Sequence, residues 1–321
     1  MKNSYLKYVG HCLLLLVCLA ACLTPSRRSK GPVWESYPEV GAVRDLAFDT
    51  DGNLWAVGYK GAALLDLSEG EMKRYTKEDG LPTNDVMAVA VGPDEKVWFG
   101  TRRAGACCFD GLNWTTFTEA DGLMDDFINT IAVANSGIVW FGGKEDLGGT
   151  CCLEGNSWKI CGLEEGLPSR AVEELAIDAS DSLWIGIVNG AVCTIQNDEL
   201  ICYGKSDGFL GGWIEGIDIS ADGTVWVATV SSGICSYDGS TWRTYTVDDG
   251  LVWDSTKCIA AAPDGSVWIG TEKGVSHFDG NAWQTYNVDD GLLSDTIVAV
   301  AVDSDGTLAF GSAKGVTVFT P

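Results

Sequence analysis

A single repeat constrains this chain more than any other feature. Trp55, Trp98, Trp140, Trp184, Trp226 and Trp268, with Ala309 in the seventh place, recur at steps of 43, 42, 44, 42, 42 and 41 residues. A second marker keeps the same period. The glycine of a recurrent D-G-L turn (E-G-L and D-G-F in two copies) falls at Gly80, Gly122, Gly166, Gly208, Gly250 and Gly291. One full copy, residues 258–292, resolves into four short apolar runs: Ile259–Ala262, Val267–Ile269, Val275–Phe278 and Trp283–Tyr286. Between them lie Pro263-Asp264-Gly265, Thr271–Gly274 and Asp279-Gly280-Asn281. Aspartate–glycine turns between β-branched and aromatic runs signal hairpins. A period of about 40–45 residues with four strands per unit is that of a β-propeller blade. We label the strands a to d. No segment carries a helical period of useful length, so the expectation is an all-β chain.

The ends of the repeat array complete each other. Val33-Trp34-Glu35-Ser36-Tyr37 reads as a d strand, matching Ala282–Tyr286 and Thr241–Tyr245, yet no a, b or c strand precedes it. Val298–Pro321 supplies a, b and c strands and then stops. The expectation is a ring of seven four-stranded antiparallel blades over residues 32–321, closed when the N-terminal strand completes the last blade. Closure leaves no unpaired end to the ring.

Residues 1–21 stand apart. Lys2 and Lys7 precede the apolar run Cys12–Leu19, which is too short to span a bilayer as a helix. This is the pattern of an export signal. Leu19-Ala20-Ala21-Cys22 is similar to a bacterial lipobox, which implies a lipid on Cys22; an ordinary signal peptide is the alternative. Residues 22–31 read as a polar tether. The expected location is the bacterial cell envelope, exported and lipid-anchored, with membrane contact through Cys22 only.

The units also carry a family pattern. Gly80-Leu81-Pro82-Thr83-Asn84, Gly166-Leu167-Pro168-Ser169, Val97-Trp98-Phe99-Gly100-Thr101 and Val267-Trp268-Ile269-Gly270-Thr271 resemble the two-component regulator propeller repeat, from Val33 onward. The resemblance implies an extracytoplasmic sensor-type propeller. Such propellers commonly form part of hybrid sensor kinases, often in tandem, and some bind glycan fragments. This chain departs from that plan, with one ring and no transmembrane helix, immunoglobulin-like domain or kinase domain. Direct signalling to a response regulator is therefore not expected of it.

Charge and cysteine content narrow the partners. After residue 21 the chain holds 19 basic and 45 acidic residues, a net charge of −26. That opposes binding to nucleic acid or electrostatic adhesion to anionic lipid. Most acids fall in turns, where aspartate hydrogen-bonds the backbone. Asp49-x-Asp51-Gly52 and Asp303-x-Asp305-Gly306 begin like calcium loops but lack the glutamate at position 12. Cys107, Cys151 and Cys235 hold equivalent c-strand places on different blades, too far apart to bond one another. One pair is open to bonding: if Ile195 faces Leu200, Cys193 faces Cys202. With one histidine after residue 21 and no Cys-x-x-Cys, no metal or other cofactor is expected.

Functional residues should lie in loops that the repeat does not dictate. The d–a and b–c loops share the face around the channel mouth. The b–c loops carry Tyr59, Lys60, Arg102, Arg103, Lys144 and Lys273; the d–a loops carry Asp126, Phe127, Trp213, Trp253 and Asp254. Eleven of the 13 tryptophans keep repeat register and belong to the core; Trp213 and Trp253 do not. Flat aromatics beside mixed charges suit a carbohydrate, although a loop tryptophan can equally cap a blade interface. These eleven loop residues form the expected ligand-binding set, for a glycan or other small polar molecule. An interaction platform for an envelope protein is the alternative. His277 falls inside a c strand, and no serine–histidine–acid set assembles. Catalysis by a propeller lyase or hydrolase is the least favoured reading, and no catalytic residue is assigned.

Overall fold

The computed structural model describes residues 32–144, 148–196 and 199–321. The leader, Cys22 and the tether lie outside the described residues. The ring contains seven four-stranded antiparallel sheets, each ordered a-b-c-d. Blade one comprises Val43–Phe48, Leu54–Gly58, Gly61–Asp66 and Glu71–Tyr75. In blade seven, Ala299–Val302, Leu308–Ser312 and Gly315–Thr320 are joined by Val33–Tyr37. The N-terminal strand thus completes the last blade, as the sequence predicts, with a pairing that runs from Val33 opposite Thr320 to Tyr37 opposite Val316. The only helical pieces among the described residues are three single 3-10 turns, at Pro38–Val40, Glu119–Asp121 and Lys205–Asp207.

The core is a ring of seven apolar clusters, each spanning the boundary between two blades. A repeat tryptophan on one b strand packs edge-on against the next blade's b strand: Trp55 on Phe99 at 5.5 Å and Trp98 on Phe141 at 5.8 Å between ring centroids. Edge-to-face pairs at this spacing add to the burial of area. The closing strand joins this system, with Trp34 4.5 Å from Phe319 and 5.5 Å from Tyr286.

Two glycines of the repeat have steric reasons. A Cβ on Gly100 would lie 2.7 Å from the Ile128 side chain of the next blade. Blade five has Ala228 there, and it faces the smaller Thr256, whose hydroxyl accepts the Thr229 N–H at 2.7 Å. Gly291, at φ +132°, lies against the Trp34 ring, where a Cβ would come within 2.7 Å. The D-G-L turn thus holds a left-handed residue that the next d-strand tryptophan covers.

The turn acids serve the backbone as expected. The Asp79 carboxylate accepts the Thr76 N–H at 2.8 Å and the Thr76 hydroxyl at 2.9 Å, and Asp249 repeats this at Thr246. Cys107, Cys151 and Cys235 are fully buried free thiols. Ile195 does face Leu200, and Cys193 is disulfide-bonded to Cys202 across that hairpin. The a strands begin earlier than their apolar runs indicate: blade six starts at Thr256, three residues before Ile259. The added residues form a bulge, and the candidate site is built on it.

Candidate functional site

Each a strand leaves its d–a loop at the mouth and runs down the channel wall. In the first six blades its pairing with strand b skips one residue. The omitted residues are Arg44, Met87, Asn129, Glu173, Glu215 and Lys257. A bulge bends its strand and re-aims a side chain. All six line one cavity of about 500 Å3, joined by Val298 from blade seven. Seven equivalent positions therefore present seven side chains to a single space.

Glu173 organises one side of it. Its carboxylate accepts Lys144 Nζ at 2.6 Å, Trp213 Nε1 at 2.9 Å and Asn129 Nδ2 at 3.3 Å. Across the ring, Arg44 donates to Asp85 Oδ1 at 2.6 Å and to the Val86 carbonyl at 3.2 Å. The Arg44 guanidinium also sits 3.8 Å from the centre of the Tyr59 ring, a cation–π contact. Lys257 pairs with Glu272 at 3.3 Å. Asp85 and Trp213 hold the same place in their loops, five residues beyond the turn glycine. In both cases the last loop residue of one blade grips the bulged residue of the blade before it.

Below the bulge the wall carries carboxylates. The inner strands have a free edge toward the channel, and its N–H groups need acceptors. Asp45 accepts the N–H of Leu46 and that of Val89 on blade two, both at 2.8 Å. Asp218 does the same with Ile219 and with Ala261 on blade six, both at 2.8 Å. Glu174 accepts the Leu175 N–H at 3.0 Å and the Thr130 hydroxyl on blade three at 2.6 Å. These acids clip neighbouring blades together. Removal from water pushes Asp45 and Asp218 up to about 6 against the pull of their backbone donors. Desolvation raises Glu174 further, to about 8, with the Asp45 and Asp218 charges adding to the rise. Burial likewise raises Glu215 and lifts the Cys258 thiol far above its ordinary value.

The eleven loop residues are dispersed. Tyr59 and Lys144 line the cavity, and Trp213, 49% exposed, stands on its lip through Glu173. Trp253, 38% exposed, lies beneath Lys273, whose Nζ is 3.9 Å from the ring centre. That pair forms a separate patch on the rim. Arg102 and Arg103 border a second depression of about 300 Å3 with Thr83, Asp85 and Ala104. Lys60 is exposed outside both cavities. One expectation needs correction. Phe127 is 7% exposed and belongs to the interior, because the N–H to Asp125 Oδ1 bond, at 2.8 Å, turns its backbone inward. Asp126 and Asp254 brace their own loops, accepting the N–H of Glu119 at 3.0 Å and of Val247 at 2.8 Å. Asn84 and Asp295 make the same bond to residues seven earlier, so four of the six such loops share this device.

The sequence reading missed the bulge ring and the wall carboxylates. Their signal is present: V-R-D-L-A-F, V-E-E-L-A-I and I-E-G-I-D-I place charges inside runs that otherwise read as buried. His277 is where it was expected, in a c strand. Its ring stacks on Trp268 at 4.1 Å, and burial lowers its basicity.

No protein-family model matches the chain, and no curated protein matches it in sequence. Solved structures do match in shape. The extracellular domain described for hybrid two-component system BT3049 of B. thetaiotaomicron superposes with a TM-score of 0.78 at 20% identity, covering 90% of this chain. The chain spans 41% of that domain's length. Virginiamycin B lyase of Staphylococcus aureus matches with a TM-score of 0.72 at 14% identity, over 91% of this chain and 99% of the lyase. PorZ, a surface component of the type-IX secretion system of Porphyromonas gingivalis, matches at 0.68 and 17% identity, over 90% of this chain and 48% of PorZ. At such identities the shared property is architecture: this chain has the fold of a seven-bladed propeller.

Proposed function

We propose that this chain is a non-catalytic, sensor-type propeller of the cell envelope that recognises a small polar ligand, such as a glycan fragment, at its channel mouth. One observation carries the reading. Six bulges, a feature that pairing alone does not require, aim unlike side chains into one cavity of about 500 Å3. That volume lies within the usual range for small-molecule sites, about 300–1,000 Å3. Trp213 on the lip offers a face for stacking, and Lys144, Asn129 and Tyr59 offer polar contacts. The similarity to extracellular domains described as belonging to two-component systems supports export and sensing. Attachment through a lipid on Cys22 belongs to the same proposal.

The lyase likeness favours a second reading less well. A virginiamycin B lyase structure is described as catalytically inactive after a histidine-to-alanine change. Here the histidine after residue 21, His277, stacks on Trp268 and does not line the cavity. An interaction platform would draw on the exposed apolar side chains Ile160, Leu163, Ile201 and Leu210 of blades three to five. A thermal-shift screen of the purified protein against an oligosaccharide panel tests the ligand reading. Stabilisation lost in Trp213→Ala supports it. A panel without effect, together with co-purification of an envelope protein that protects Ile160 and Ile201 from exchange, would replace it with the platform.

A further inference from the structure

The cavity's chemistry points to a ligand class, an inference that rests on the ligand-binding reading above. The cations at the mouth already have partners: Arg44 with Asp85, Lys144 with Glu173 and Lys257 with Glu272. Three acids of the same cavity, Glu215 at the bulge and Asp45 and Glu174 below it, have no cationic partner among the described residues. Among the described residues no lysine or arginine lies within ion-pair distance of Asp45, Glu174 or Glu215, although all three line the cavity. Glu215 makes no side-chain hydrogen bond among the described residues, and burial disfavours its charged form. The remaining wall is apolar at Ile217, Ile259, Val298 and Val300. No three carboxylate, thiol or imidazole groups among the described residues converge closely enough for a metal ion. Separated carboxylates on an apolar wall suit a larger cation with a carbon skeleton.

We propose that the cavity selects an organic ligand carrying a protonated amine, whose ammonium group is held by Glu215 while its carbon body lies on the apolar wall of Ile217, Ile259, Val298 and Val300. The ammonium supplies the ion-pair partner that Glu215 lacks, through charge-assisted hydrogen bonds. Its N–H groups donate and the carboxylate oxygens accept; no bond is made or broken. Two sources share this chemistry, a glycan with free amino groups and an aliphatic polyamine.

Titration calorimetry of the full-length protein with three probes separates the outcomes: a glucosamine trimer, its fully N-acetylated counterpart and spermidine. Binding of the glucosamine trimer or of spermidine, with the N-acetylated trimer weaker by about tenfold or more, is the expected result, and which amine binds identifies the source. Glu215→Gln should weaken the amine by about tenfold without lowering the melting temperature, since this side chain holds no structural partner and burial already disfavours its charge. Equal binding of the free and N-acetylated trimers, or an ineffective Glu215→Gln, overturns the amine inference and leaves a neutral-glycan site standing. Binding of none of the three overturns the inference and counts against the glycan reading itself.

Discussion

The wall carboxylates make a prediction about pH whose sign runs against ordinary acid denaturation. Glu174 is raised from an ordinary 4.5 to about 8 because it is desolvated between blades. The folded chain therefore keeps this proton up to about pH 8, whereas the unfolded chain releases it near 4.5. Between these values the native state binds more protons, so stability is highest at the lower end and falls as pH rises. A shift of about 3.5 units at about 1.36 kcal/mol per unit gives at most about 5 kcal/mol. Asp45 and Asp218, raised from 3.8 to about 6, add losses in the window from about pH 4 to 6. The three acids sense one another, so their sum overstates the total, and a drop of about 2–5 kcal/mol from pH 5 to pH 9 is expected. Glu174→Gln removes the steepest part. Urea unfolding followed by tryptophan fluorescence at unit pH steps should show the variant flatter between pH 5 and 8. At pH 9 the variant should be the more stable of the two. Repulsion from the −26 net charge acts on both proteins alike and cancels in the difference. Below pH 4 both should lose stability together, because hydrogen bonds hold Asp79, Asp110 and Asp279 below their ordinary values. Parallel curves for the two proteins between pH 5 and 9 would refute the account of a desolvated, uncompensated Glu174.

Three further outcomes follow from the ring and its lip. Deleting residues 32–40 opens blade seven and should lower the melting temperature by about 10 °C or more, at about 2–4 °C per kcal/mol; an unchanged melt in calorimetry would count against closure. Cys22→Ser should shift the protein from the membrane to the soluble fraction and abolish labelling by a fatty-acid analogue, and retention on membranes would remove the lipid anchor from the proposal. Trp213→Ala should weaken ligand binding by about tenfold, in line with about 1–3 kcal/mol for a stacked aromatic, with little change in melting. Trp268→Ala, 4% exposed in the core, should instead cost about 3–5 kcal/mol of stability and leave affinity alone.

The scaffold was legible because its requirements are local and recur. Tryptophan on strand b, the D-G-L turn and the glycine facing the next blade each answer a contact made at most interfaces. The register of Val33–Tyr37 against the last strand follows from matching one strand to its repeats. The site was legible only in part, for a related reason. What the fold does not fix, the period cannot predict, and the bulged residue is free to be Arg44, Met87, Asn129, Glu173, Glu215 or Lys257. Counting from the turn glycine also separates two residues that loop membership put together. Trp253 is the third residue after Gly250, whereas Trp213 is the fifth after Gly208. The fifth place reaches the bulge of the preceding blade, and the third leads to the separate rim patch with Lys273. Phe127 also holds the fifth place yet is buried, so position alone does not decide exposure.

The closing strand also fixes a direction. Strand d climbs toward the d–a loops, so Val33 begins at the face opposite the mouth, paired with Thr320 beside the final residue. Both ends of the ring therefore leave from its underside, at one point on the outer flank. A segment joined to either end of the ring thus meets it on the side away from the cavity, so a fused tag or fluorophore at that point leaves the candidate site uncovered.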